Sequence, residues 1–167
     1  MSIFVTVGST GFDDLVEAAT SASFLSFLEM RGYRNLVIQY GSSETIYSRT
    51  TFPTISNITV TGYSYKSSIE EDMKQADIIV SHAGSGTLLQ ALRLDNKKVV
   101  VVVNTSLMDN HQREIADVME SKNYVVATNP SNLSDAVETI QKRSIDKFPH
   151  ANINHFGDLL DEFMGFL

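Results

Sequence analysis

The chain has 167 residues, 43% hydrophobic and 20% charged, which suits one soluble globular domain and is too short for two full ones. A formal net charge of −7 without a Lys/Arg cluster argues against a nucleic-acid partner. The lack of cysteine excludes a disulfide scaffold, a thiolate metal site and a cysteine nucleophile.

Taken in order, residues 3–7 predict a strand and 12–31 a helix, with Leu15, Val16, Ala19, Phe24, Phe27 and Leu28 at helical spacing. Residues 36–40 predict a second strand closed by Gly41, and 42–54 a polar stretch with room for one short helix. Residues 57–61 predict a third strand and 66–75 a helix with Ile69 and Met73 inward. A fourth strand at 78–81 runs into a glycine loop and a helix over 87–94. The fifth, 98–103, holds five consecutive valines without alternation, so burial on both faces is expected. A helix over 110–121, a short strand at 124–127 and a helix over 132–143, capped by Ser131 or Asn132, follow. A last helical pattern covers 153–166. Strand–helix alternation of this kind predicts an α/β fold: an open parallel sheet, Rossmann-like, with helices on both faces. No apolar run approaches the ~20 residues that span a bilayer, and the first residues lack a basic leader, so a cytoplasmic location is expected.

Three motifs fall at strand ends, where open α/β sheets bind ligands. Gly8-Ser9-Thr10-Gly11 follows the first strand. It reads either as an anion-binding loop before a helix N-terminus or as a plain turn capped by Ser9 or Thr10. Ser81-His82-Ala83-Gly84-Ser85-Gly86-Thr87 follows the fourth. Its hydroxyls, its imidazole and the free N–H groups of a first helical turn can all donate to phosphate oxygens. The plain alternative is a capped turn with an incidental histidine. Leu89 stands where a dinucleotide fingerprint needs its third glycine, and neither a Walker A lysine nor a nucleophile elbow is present. After the fifth strand, Asp109-Asn110-His111-Gln112 offers groups suited to sugar hydroxyls, or a polar loop with Asp109 as a helix cap. A flavodoxin-like or receiver-like domain is a further possibility, one that leaves the His82–Thr87 loop unexplained.

Together, Phe4-Val5-Thr6-Val7-Gly8-Ser9-Thr10, His82-Ala83-Gly84-Ser85-Gly86-Thr87 and Ser106-Leu107-Met108-Asp109-Asn110-His111-Gln112 resemble the UDP-sugar-binding, C-terminal half of two-domain (GT-B) glycosyltransferases. Within these they are similar to the soluble catalytic subunits of two-chain UDP-N-acetylglucosamine transferases. The resemblance is clearest over residues 3–127.

The resemblance implies that Gly8, Ser9 and Thr10, with Gly84, Ser85, Gly86 and Thr87, hold the donor's diphosphate. It places Gln90 near the ribose, in a position where relatives often carry Glu. Tyr63 and Ser64 fall near the uracil, and Asp109, Asn110, His111 and Gln112 at the sugar. His82 and His111 become the candidate catalytic groups, His82 as a diphosphate donor or a base. The implied reaction inverts the anomeric centre, moving N-acetylglucosamine from UDP-N-acetylglucosamine to dolichyl-diphosphate-linked N-acetylglucosamine. The implied site needs no metal and no cofactor besides the donor substrate. Residues 1–150 would form the donor domain. The acceptor half would be a separate membrane-anchored subunit, recruiting this chain to the cytosolic face of the endoplasmic reticulum. Residues 151–167 would pack on the domain or dock that partner. A noncatalytic nucleotide-sugar-binding or regulatory module is the competing reading.

Overall fold

The structure, a computed structural model, describes residues 1–50, 57–105 and 110–149, with only the backbone of Asn110. The expected terminal helix, the tail 151–167 and Asp109 lie outside the described residues.

Six strands form one wholly parallel sheet: β1 (Ser2–Thr6), β2 (Asn35–Gln39), β3 (Thr59–Tyr63), β4 (Ile78–His82), β5 (Lys98–Val102) and β6 (Val126–Thr128). Their order across the sheet is β3-β2-β1-β4-β5-β6. This is the dinucleotide-fold order, and it differs from the flavodoxin and receiver order, which begins 2-1-3. The helices are α1 (Asp13–Thr20), α2 (Ala22–Met30), α3 (Glu44–Arg49), α4 (Glu70–Gln75), α5 (Ser85–Leu92), α6 (Asn110–Ser121) and α7 (Leu133–Lys142).

Side chains alternate along a strand, so each strand feeds two cores. Ile3, Val5, Ile38, Val80, Val100 and Val102 face α1, α2 and α7 through Leu15, Val16, Leu25, Leu28, Val137 and Ile140. Phe4, Ile79, Val99 and Val101 face α4, α5 and α6 through Met73, Leu88, Ala91 and Ala116. The valine run is therefore buried on both faces, as its lack of alternation predicts.

Several boundaries move. The helix expected over 12–31 is two helices, because Ser21 is extended (φ −63°, ψ 144°). Its hydroxyl accepts from Phe24 N at 3.2 Å and donates to the Ala18 carbonyl at 2.8 Å, capping α2 while ending α1. The third strand sits two residues later than expected, since Thr59 N bonds the Arg34 carbonyl and Asn35 pairs with Thr59. The helix expected from residue 66 begins at Glu70. Lys66 instead bonds Asp72, and Ser68 Oγ accepts from Glu70 N. The last described helix follows a 3₁₀ turn, Pro130–Asn132. The capping side chain there is Asn129, which accepts from Asn132 N, rather than Ser131 or Asn132.

Candidate functional site

β1 and β4 lie side by side at the centre, with β2 and β3 beyond one and β5 and β6 beyond the other. After β1 the chain turns to α1 on one face, and after β4 to α5 on the opposite face. The two connections part above the carboxyl ends, which is where this class of sheet opens a ligand crevice.

His82, the last residue of β4, joins the two connections. A Cβ on Gly8 would lie 2.8 Å from His82 Cε1, and one on Gly84 would lie 2.2 Å from His82 Nε2. Only glycines can clasp the ring this closely. Burial lowers the pKa of His82 below the ordinary imidazole value, opposed by the backbone of Thr6. Its Nδ1 is buried without a hydrogen-bond partner among the described residues.

Gly84 is also the N-cap of α5 and, having no side chain, makes no capping bond there. Its carbonyl accepts from Leu88 N at 3.0 Å. The N–H groups of Ser85, Gly86 and Thr87 precede any helical partner, so the partial positive charge of the helix end is unneutralised. Among the described residues a Cβ on Gly86 meets nothing within 4 Å. Gln90 is half-buried one turn further on.

The loop after β1 is shaped by Gly8 (φ +71°) and Gly11 (φ +79°). It is propped by the turn after β2, which sequence reasoning missed. Ser42 Oγ donates to the Thr10 carbonyl, and Ser43 Oγ accepts from Phe12 N at 2.9 Å. Gly41 (φ +54°) passes so close that a Cβ would lie 2.3 Å from the Gly8 carbonyl oxygen. Ser9 and Thr10 are exposed on top of this support. The adjacent Gly41-Ser42-Ser43 was the available signal, a left-handed turn with two hydroxyls at a strand end.

The other candidates lie on neighbouring elements. Tyr63 ends β3, three strand spacings (about 14 Å) from β4. Its hydroxyl donates to Asp72 Oδ2 at 2.5 Å, and Lys66 Nζ lies 4.1 Å from its ring centroid. Burial first, and then Asp72, push its pKa well above the usual phenol range. This phenol is already engaged, whereas Ser64 is exposed. His111, in the first turn of α6, is exposed and lies 3.7 Å from Glu114. Gln112 is half-buried and its Oε1 has no hydrogen-bond partner among the described residues. Among the described residues no group of three His, Asp or Glu side chains could hold a metal, and no helix is long and apolar enough to cross a membrane. A cleft of about 630 Å³ lies at the opposite, amino end of the sheet, lined by Arg93, Lys98, Tyr124, Arg143 and Phe148 among others.

Comparison with known proteins gives this geometry a context. Residues 2–162 match the glycosyltransferase family 28 C-terminal domain. The chain is 33% identical over 178 residues to the UDP-N-acetylglucosamine transferase subunit ALG13 of Candida glabrata, covering 87% of this chain and 89% of that protein. It is 37% identical over 163 residues to the mouse protein of that name, covering 93% of this chain but only 14% of the longer mouse protein. The solution NMR structure of an ALG13 superimposes with a TM-score of 0.72 at 29% identity, over 95% of this chain and 94% of that one.

Proposed function

Since the chain belongs to the family of glycosyltransferase family 28 C-terminal domains, we propose that it is the donor-binding, catalytic subunit of an inverting transferase that moves N-acetylglucosamine from UDP-N-acetylglucosamine to the 4-hydroxyl of dolichyl-diphosphate-linked N-acetylglucosamine. One observation carries the reading. The loops after β1 and β4 meet on His82 at the point where the strand order reverses, beside an uncapped helix N-terminus. The names of the relatives supply the donor's identity.

In this reading the diphosphate lies across the crevice. The N–H groups of Ser85, Gly86 and Thr87 and the backbone from Gly8 to Thr10 donate to its oxygens. His82 serves as a diphosphate donor and gains a proton as the anion raises its pKa. Gln90 serves the ribose, and the Asp109–Gln112 segment the sugar. The acceptor oxygen forms its bond to the anomeric carbon as the bond to the UDP oxygen breaks. The electron pair leaves with UDP, where aligned N–H groups stabilise the growing charge without a metal. The acceptor's proton passes to a base, which we assign to the acceptor-binding half on a separate, membrane-anchored polypeptide. That partner holds this chain at the cytosolic face of the endoplasmic reticulum. His82 and His111 are the alternatives within the chain.

The test is a transfer assay with UDP-N-acetylglucosamine and the lipid-linked acceptor, run with the chain alone, the partner alone and both together. Transfer only in the combined reaction is expected. UDP binding without transfer beside a competent partner would leave a noncatalytic nucleotide-sugar module.

A further inference from the structure

The β3, β2, β1 and β4 strands carry a polar row at their carboxyl ends. Tyr63 pairs with Gln39, Gln39 with Thr6, and Thr6 with Ser81. In-register neighbours in a parallel sheet point to one face, so these four side chains stand abreast just below the crevice. Three are buried: Thr6 and Ser81 at 0% exposure, Gln39 at 4%.

The middle pair forms a directional chain. Gly8 N donates to Thr6 Oγ1 at 3.3 Å, and Thr6 Oγ1 donates to Gln39 Oε1 at 2.5 Å. The hydroxyl thus uses its proton toward Gln39 and a lone pair toward Gly8. Gly8 is the residue against which the His82 ring lies.

Core stability does not call for this pair. A valine would fill the Thr6 site, and an apolar side chain of similar length the Gln39 site, without burying an amide. Replacing both partners of a buried hydrogen bond by apolar groups of the same shape is close to neutral. The pair does, however, give the left-handed Gly8 amide a fixed acceptor.

We propose that Thr6 and Gln39 are positioning residues, a buried relay that fixes Gly8 beneath the His82 ring and so holds the two anion-binding loops in register. The relay itself is a property of the free chain. Its effect on donor binding rests on the function proposed above.

The experiment compares the full chain with Thr6→Val/Gln39→Met, Thr6→Val alone and Thr6→Ser, reading thermal unfolding, hydrogen exchange of the Gly8 amide and UDP affinity by calorimetry. The double variant should unfold within a few degrees of the parent, the loss being that of the Gly8 N–H acceptor, with Gly8 exchanging about tenfold faster and UDP bound about tenfold more weakly, the equivalent of one lost hydrogen bond. Thr6→Ser should restore both. Thr6→Val alone, which leaves Gln39 unpaired, should lose stability as well and supplies the comparison if the double variant is poorly folded. Unchanged Gly8 exchange in a folded variant overturns the relay. Faster exchange with unaltered UDP affinity overturns its link to binding. A parent chain that binds no UDP counts against the donor reading and leaves the exchange result to decide the relay.

Discussion

Gly84 and Gly86 are two residues apart and face opposite demands. Gly84 presses on the His82 ring, with 2.2 Å between its would-be Cβ and Nε2, while Gly86 faces open space. Gly84→Ala should therefore displace the imidazole and lower UDP affinity by tenfold or more, as expected when an anion donor is lost. Gly86→Val should leave the melting temperature within a few degrees yet block UDP, because its side chain enters the space proposed for the diphosphate. Calorimetry with UDP, paired with thermal melts, separates the two, and normal affinity in Gly86→Val would displace the ligand from this turn. His82 adds a pH signature. Its folded pKa lies below the ordinary value of about 6.5, so the unfolded chain binds the proton first on acidification. The stability tied to the neutral ring is full above that value and declines as pH falls through it toward the folded pKa. In the proposed site a bound diphosphate would raise the pKa, so UDP binding should take up a proton and weaken as pH rises. His82→Asn should flatten that dependence in calorimetry across buffers. Tyr33 makes a different case: its hydroxyl is buried and unpaired, and burial, aided by Asp77, raises its pKa to about 12. Tyr33→Phe removes an unsatisfied group and should be neutral or stabilising by about 1 kcal/mol in denaturant unfolding.

Among elements, the junction between α1 and α2 rests on one hydroxyl. Ser21→Ala removes the acceptor for Phe24 N and should destabilise the fold by about 1 kcal/mol, read as a lower denaturant midpoint at unchanged slope. This junction also shows where sequence periodicity fails. Leu15, Val16, Ala19, Phe24, Leu25 and Leu28 all reach one core, so their spacing runs through the break unchanged. The strands were more legible. Unalternated valines can only be buried on both faces, and glycine loops after strands mark the ligand end of the sheet. Cross-strand facts were not legible, because Thr6 meets Gln39 only once the pairing register is set. For the same reason the sequence did not show that the Tyr63 hydroxyl donates to Asp72, nine residues later, or that Lys66, three residues later, lies over its ring. The Gly8 and Gly84 loops were visible separately. That His82 joins them followed only from β1 lying beside β4.

For the whole molecule, both cores are built on β1 and β4 together. A fragment of residues 1–76 keeps β1, β2 and β3 but leaves one edge of β1 bare and both cores half empty. It should show no cooperative unfolding, and a sharp melt from that fragment would mean that the first three strands form an independent unit.

The central position of β1 also has a temporal side. Its pairing with β4 joins Ile3 to Ile78, 75 positions along the chain. On the ribosome β1 is finished long before that neighbour emerges, and at ~5–20 residues per second the delay is several seconds. Throughout it a strand of Ile, Phe and Val waits with one side unpaired. A bare apolar strand edge is prone to mispairing, so slowing translation between the codons for β3 and β4 should lower the soluble yield.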